Sequence, residues 1–221
     1  MKILGLDASV DAGAAVVDAG VVLGAAAAGS GARPAAQLVP LVAAALAHAG
    51  LDRRAVDALA VGVGPGSYAG VRAAVATAKA WAWAAGLPLA AVDSLQALAL
   101  AAGPWRGPVW AVLDARNGHV FAGEFSCGGD GVPRPVAPAQ LMPGAELASR
   151  IAGAAAPVLV AGAAGPWAGE CRLAGGAIPG IAAAVARLGA LHADAGTWAD
   201  PLTLVPRYLR PPQLGRPAAG R

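Results

Sequence analysis

Acidic side chains stand at the ends of two strand-like segments, where they could act on a metal-bound water or a phosphate. Asp7 ends the apolar run that starts at Lys2, and Asp114 ends the run that starts at Val109. A carboxylate beside the free N–H groups of the following turn suits either ligand. An aspartate at such a place also caps its own turn through an Asx hydrogen bond. Both interpretations stay open for Asp7.

A glycine-rich loop is the second candidate site. Gly64–Gly70 joins a predicted strand to the start of a predicted helix. Free N–H groups and the positive helix end at such a junction favour an anion. The spacing of a P-loop is absent, and tight turning with close packing is the structural alternative. The candidate anion-binding or nucleotide-binding residues are therefore Asp7, Ser9, Gly64, Gly66, Ser67, Gly70 and Asp114.

The sequence contains no recognisable motif for a metal site or for a catalytic nucleophile. His48, His119 and His192 are far apart in the sequence, and none is spaced from another ligand as a helical metal site requires. Cys127 and Cys171 are too few for a disulfide framework or a cysteine-rich zinc site. A nucleophile elbow and a Cys/His pairing are also lacking. The sequence predicts no metal site and no catalytic residue.

Composition limits the class of protein. The chain has 221 residues, of which 62 are Ala and 31 are Gly, so its 57% hydrophobic content consists largely of small side chains. Its apolar stretches are broken by Pro and Gly, so we expect no membrane span and no signal peptide, and a cytoplasmic location. Four Arg residues in the last 15 account for the net charge of +3, and the rest is near neutral. Only this basic tail is a candidate for electrostatic contact with RNA.

The hydrophobic patterns predict two α/β halves. Three antiparallel strands open the chain, followed by a helix over Leu38–Ala49, a strand over Val56–Val63, a helix over Gly70–Ala85, a strand over Leu89–Val92 and a helix capped by Ser94. After the Gly103–Pro108 linker, an Asn-Gly hairpin begins the second half. Both halves begin with a strand that ends in Asp. We expect residues 1–103 and 104–210 to form two lobes, with the last helix packing back on the first lobe, and residues 211–221 to be a disordered basic tail.

Several sequence blocks together resemble the bacterial TsaB family. In order they are Leu4–Ser9, Gly62–Arg72, Ala76–Lys79, Gly86–Leu89, Val92–Leu95, Leu113–Arg116 and Pro206–Arg210. The resemblance reaches from the N-terminus to Arg210 and is strongest over residues 57–100. It implies a two-lobed actin/Hsp70/sugar-kinase-like (ASKHA) fold of duplicated ribonuclease-H-like lobes.

The resemblance also implies a function and partners. It implies a noncatalytic subunit that pairs with the paralogue TsaD and is joined by the ATPase TsaE, for threonylcarbamoylation of the tRNA adenosine next to the anticodon. It implies contact with tRNA through the complex, a homodimer when the partner is absent, and no cofactor of its own, ATP and ADP belonging to TsaD and TsaE. The expected partner interface lies on two helices, at Leu38, Leu41, Val42, Ala45, Val71, Ala74, Ala78 and Trp81. A charge at Ala74 or Ala78 is expected to block pairing without unfolding.

Departures from the related patterns sharpen this expectation. The catalytic paralogue has a His-x-x-x-His metal motif where this chain has Ser94 and Leu98. Leu cannot bind a metal, so the paralogue's chemistry is unavailable here. Ala8 replaces a usual Thr, and Tyr68–Ala69 replaces a usual Phe-Thr. Two alternatives remain open, a metalloprotease-like enzyme and an independent protein that binds nucleotide weakly.

Overall fold

The fold is built on two mixed β-sheets. The computed structural model describes residues 1–28, 34–154, 158–162 and 180–210. The first sheet has the strand order β3-β2-β1-β4-β5, formed by β1 (Lys2–Asp7), β2 (Gly13–Asp18), β3 (Val21–Ala27), β4 (Ala58–Gly62) and β5 (Leu89–Val92). Strands β1 and β2 are antiparallel, whereas β1, β4 and β5 run parallel. The carboxyl ends of β1, β4 and β5 therefore share one edge of the sheet.

Helices cover both faces of this sheet. On one face lie α1 (Pro34–His48) and α2 (Tyr68–Ala85), packed on Leu4, Leu6 and Leu59. On the other face lies α5 (Gly180–Ala195), packed on Ile3 and Ala60. Successive residues of a strand point to opposite faces, which explains how the apolar segments of β1 and β4 supply both cores.

Small residues let the helices approach the sheet closely. A side chain at Gly5 would collide with the backbone of α5, and one at Gly24 would collide with the backbone of α1. On the helix side, Gly189 of α5 lies against Ala60 of β4. Part of the alanine and glycine excess is thus used inside this chain, in helix-to-sheet packing.

The second sheet repeats the topology of the first. Its order is β10-β6-β7-β8, with β9 also paired to β7; the strands are β6 (Gly107–Asp114), β7 (His119–Cys127), β8 (Pro133–Pro135), β9 (Gln140–Pro143) and β10 (Leu159–Gly162). Strand β6 pairs antiparallel with β7 and parallel with β10, as β1 does with β2 and β4. Helices α3 (Ser94–Ala101) and α4 (Gly144–Ala152) complete this part. The predicted two-lobed α/β, ASKHA-like fold is confirmed.

Most of the observed helices, strands and turns lie where the sequence predicts them. The hairpin turns at Ala19–Gly20 and Arg116–Gly118 have positive φ, as their sequences predict. The prediction of Ser94 as the helix cap is wrong, because Asp93 accepts the N–H groups of Leu95 and Gln96 in that role. The sequence patterns did not predict strand β9. The division of the chain at residue 103 stays a prediction, and the tail over 211–221 lies outside the described residues.

None of the helices in the described ranges combines the length and apolarity that crossing a bilayer requires.

Candidate functional site

Asp7 lies buried at the carboxyl end of β1, with both carboxylate oxygens engaged. Its Oδ1 accepts hydrogen bonds from the backbone N–H of Ser9 at 2.8 Å and from the Ser9 hydroxyl at 2.6 Å. Its Oδ2 accepts one from the hydroxyl of Ser94 at 2.9 Å. Burial raises the pKa of Asp7 above its usual value, although all three hydrogen bonds favour the ionised form.

Ser94 joins this carboxylate to the glycine-rich loop. Its hydroxyl accepts a hydrogen bond from the N–H of Gly64 at 3.1 Å, and its own N–H donates to the Gly64 carbonyl at 3.1 Å. The side chain is fully buried. Sequence reasoning placed Ser94 only as a helix cap and as the counterpart of a lost metal ligand. The Val92–Leu95 block was the signal that could have identified its structural role.

The glycine-rich loop packs tightly against the turn that follows β1. A side chain at Gly66 would collide with Ser9, and one at Gly70 would collide with the carbonyl of Ala8. The N–H of Ser67 donates to the Ser9 carbonyl at 2.7 Å, while the Ser67 hydroxyl caps α2 by accepting from Gly70. The structure therefore brings six of the seven predicted site residues together. It does so through the close packing that was the structural alternative.

Asp114 occupies the equivalent place in the second sheet but has different surroundings. It accepts the N–H of Arg116 at 2.7 Å, which repeats the Asx turn that Asp7 makes with Ser9. Unlike Asp7, it is exposed. Among the hydrogen bonds of the described residues, none links Asp114 to the Asp7 cluster.

The C-terminal segment lies over the same edge of the first sheet. The N–H of Arg207 donates to the Val63 carbonyl at 2.7 Å, and its guanidinium pairs with Asp93 at 2.7 Å. Burial raises the pKa of Asp93 in spite of this pairing. Beside it the ring of Tyr208 lies 4.7 Å from that of Tyr68.

The expected interface residues need a correction. Six of the eight are buried in this chain's own core, because they face the sheet: Leu38, Val42, Ala45, Val71, Ala74 and Ala78. They cannot contact a partner directly, and the expectation that a charge at Ala74 or Ala78 leaves the fold intact is wrong. Leu41 and Trp81 are half-buried.

The same two helices carry exposed apolar residues, beside the polar Gln37, His48 and Arg72. On α1 the exposed residues include Val39, Ala43 and Ala47, and on α2 they include Ala76 and Ala80. The two helices contact each other and pack on the same face of the first sheet. We call this set, Val39, Ala43, Ala47, Ala76 and Ala80, the outer helix face. These exposed positions lie on the sides of α1 and α2 that face away from the sheet, opposite the buried residues named in the prediction.

Over the described ranges, which omit Cys171, no group of three His, Cys, Asp or Glu residues is placed to hold a metal ion. Ser94 is engaged with Asp7, and Leu98 packs in the apolar cluster of the second sheet.

Comparison with known proteins identifies the family. The family model described as TsaD, tRNA N6-adenosine threonylcarbamoyltransferase, matches residues 32–156, more than half of the chain. An uncharacterized protein of Mycobacterium tuberculosis is 36% identical over 80% of this chain and 74% of its own. The tRNA threonylcarbamoyladenosine biosynthesis protein TsaB of Escherichia coli is 33% identical over 43% of this chain and 42% of its own.

A solved structure extends the similarity to nearly the whole chain. YeaZ from Pseudomonas aeruginosa superposes with a TM-score of 0.77 at 27% sequence identity, covering 94% of this chain and 99% of that one. The similarity therefore includes both sheets. The chain belongs to the TsaB family.

Proposed function

We propose that this chain is a noncatalytic subunit in tRNA threonylcarbamoyladenosine biosynthesis, which pairs with the transferase TsaD. Membership of the TsaB family supports the pathway. The observation that carries the noncatalytic role is the state of Asp7: it is buried and bonded to Ser9 and Ser94 in a structural network. Ser94 and Leu98 stand where the paralogue has its metal ligands.

The partner surface is the outer helix face on α1 and α2. Its side chains are apolar and exposed, while the opposite sides of both helices anchor them to the sheet. Covering apolar surface with another subunit lowers the free energy of the system. A helix pair that is rigidly supported from below loses little conformational freedom on binding. The chain forms a homodimer through the same face when TsaD is absent, and TsaE and tRNA are reached through the complex.

Reconstitution of the transfer reaction tests this proposal. Threonylcarbamoyl transfer to tRNA is measured with TsaD, TsaE and TsaC, the enzyme that supplies threonylcarbamoyl-adenylate, with and without the native chain. We expect activity to depend on the chain and to be lost with Ala76→Asp, whose charge sits on the outer helix face. Ala145→Asp, an exposed alanine of α4, is the matched control and keeps full activity. Transfer that proceeds equally well without the chain contradicts the proposal.

We further propose that the chain holds no nucleotide at the glycine-rich loop. The carboxylate of Asp7 and the N–H groups of Gly64 and Ser67 have internal partners. A phosphate would have to break these bonds to use the same groups. Calorimetric titration with ATP and Mg²⁺ should give no binding heat. A saturable heat that disappears in Asp7→Asn would favour the alternative of an independent nucleotide-binding protein.

A further inference from the structure

Two of the sequence blocks are connected in the structure through Lys79 and the residues that precede the second block. One is Ala76–Lys79 in α2 and the other is Pro206–Arg210 near the end of the described chain. The ammonium of Lys79 donates to the carbonyl of Leu204 at 2.6 Å and to that of Leu202 at 3.4 Å. These contacts fix the segment that leads into the second block.

The segment then runs to the carboxyl ends of two parallel strands. It starts beside the amino end of β5, where the N–H of Ala199 donates to the Leu89 carbonyl at 2.8 Å. It reaches the end of β4 at Arg207, which is bonded to Val63 and paired with Asp93. The carbonyl oxygen of Arg207 would lie 2.7 Å from a side chain at Gly64. The backbone of the segment therefore rests directly on the glycine-rich loop.

The same segment also reaches the second sheet. Leu204 packs in the core of the first sheet, while Leu209 packs in the apolar cluster of the second. The guanidinium of Arg210 donates to the Ala115 carbonyl at 2.7 Å, just beyond the end of β6. Within the seven residues 204–210 the chain thus makes polar and apolar contacts with both halves.

We infer that residues 199–210 form a strap that fills the crevice in front of the glycine-rich loop and fastens the two lobes together. In open α/β sheets, ligands bind in the crevice outside the carboxyl ends of parallel strands. Here Arg207 supplies in that place an N–H, a carbonyl and a guanidinium from the chain itself. The strap is an internal occupant that sets the lobe arrangement without any bound ligand, and it does not depend on the proposed partner.

Hydrogen exchange of full-length variants tests the strap. Arg207→Ala/Arg210→Ala removes the ion pair with Asp93 and the hydrogen bond to Ala115. We expect exchange to become about tenfold faster in peptides over 61–66 and 113–116 together, with the centre of β1 unchanged. Arg134→Ala, which loses an exposed pair with Asp130 and a hydrogen bond of 3.4 Å to the Val132 carbonyl, is the control and changes neither peptide.

The outcomes distinguish a strap that holds the two lobes together from a segment that only lies on their surface. Unchanged exchange at both strand ends, or faster exchange of residues 199–210 alone, overturns the inference. If the double variant is destabilised throughout, Lys79→Met provides the milder test, since it removes only the bonds to Leu202 and Leu204. Faster exchange confined to residues 61–66 and 199–210 in that variant supports the strap. Unchanged exchange at residues 61–66 overturns it.

Discussion

The hydroxyl of Ser94 donates a hydrogen bond of 2.9 Å to the carboxylate of Asp7, although 87 residues separate them in the chain. The bond joins the ends of two strands that are not neighbours, since β4 lies between β1 and β5. Because Ser94 also accepts from Gly64 of the intervening connection, one buried hydroxyl ties three chain segments together.

Ser94→Ala should destabilise the protein through this network. It leaves the N–H of Gly64 and one oxygen of Asp7 without their buried partner, which costs about 1–3 kcal/mol. Ser149→Ala is the control, because its exposed hydroxyl bonds only to a carbonyl one turn back in α4. Urea unfolding of both variants measures the difference. Equal losses for the two would show that the buried bond adds nothing specific.

Asp7 should give the stability a distinct pH dependence. Burial raises the pKa of Asp7 in the folded state above 3.8, the ordinary value of an aspartate side chain, so folding favours the protonated form. Its favourable contribution is complete below the unfolded pKa and is lost as the pH rises through the folded pKa. Relative to Asp7→Asn, which does not titrate, native stability should therefore fall as the pH increases. Urea unfolding of both proteins from acidic to neutral pH tests this, and a difference that grows with pH contradicts it.

Aspartate substitutions should separate the two sides of α2. Ala78 is fully buried against the sheet, so Ala78→Asp costs about 3 kcal/mol or more in the free energy of unfolding. Ala76 is exposed, so Ala76→Asp costs no more than about 1 kcal/mol. Thermal unfolding of the isolated chain checks both values. Comparable destabilisation by the two substitutions would mean that α2 is rotated about its axis.

Gly5→Ala should disturb the packing of α5. The added methyl group would collide with the backbone of α5 at Ala182 and Ala186, and such overpacking costs about 1–3 kcal/mol. Gly129→Ala is the matched control, since a side chain there meets open space. Denaturant unfolding provides the comparison. A neutral Gly5→Ala would place α5 farther from β1 than the structure does.

The pattern of residues was enough to predict most of the fold. Hairpin turns, helix positions and the alternation of strands with helices follow from local properties, namely turn residues, apolar spacing and glycine stops. The strand β9 was missed because Gln140–Pro143 is short and lacks a strong alternation. The cap of α3 was misplaced by one residue, since both Asp93 and Ser94 are good capping residues and local sequence does not choose between them.

For the candidate site, too, the sequence and the tertiary structure supply different information. By itself the sequence determined which residues are present: the acidic strand ends, the glycine-rich loop and the missing metal ligands at Ser94 and Leu98. Only the tertiary structure decided what they do. The rotation of α2 about its own axis places Ala74 and Ala78 against the sheet and Ala76 at the surface. The return of the chain places the carbonyl of Arg207 beside Gly64. These relations join residues distant in sequence, and they are set by how the elements pack.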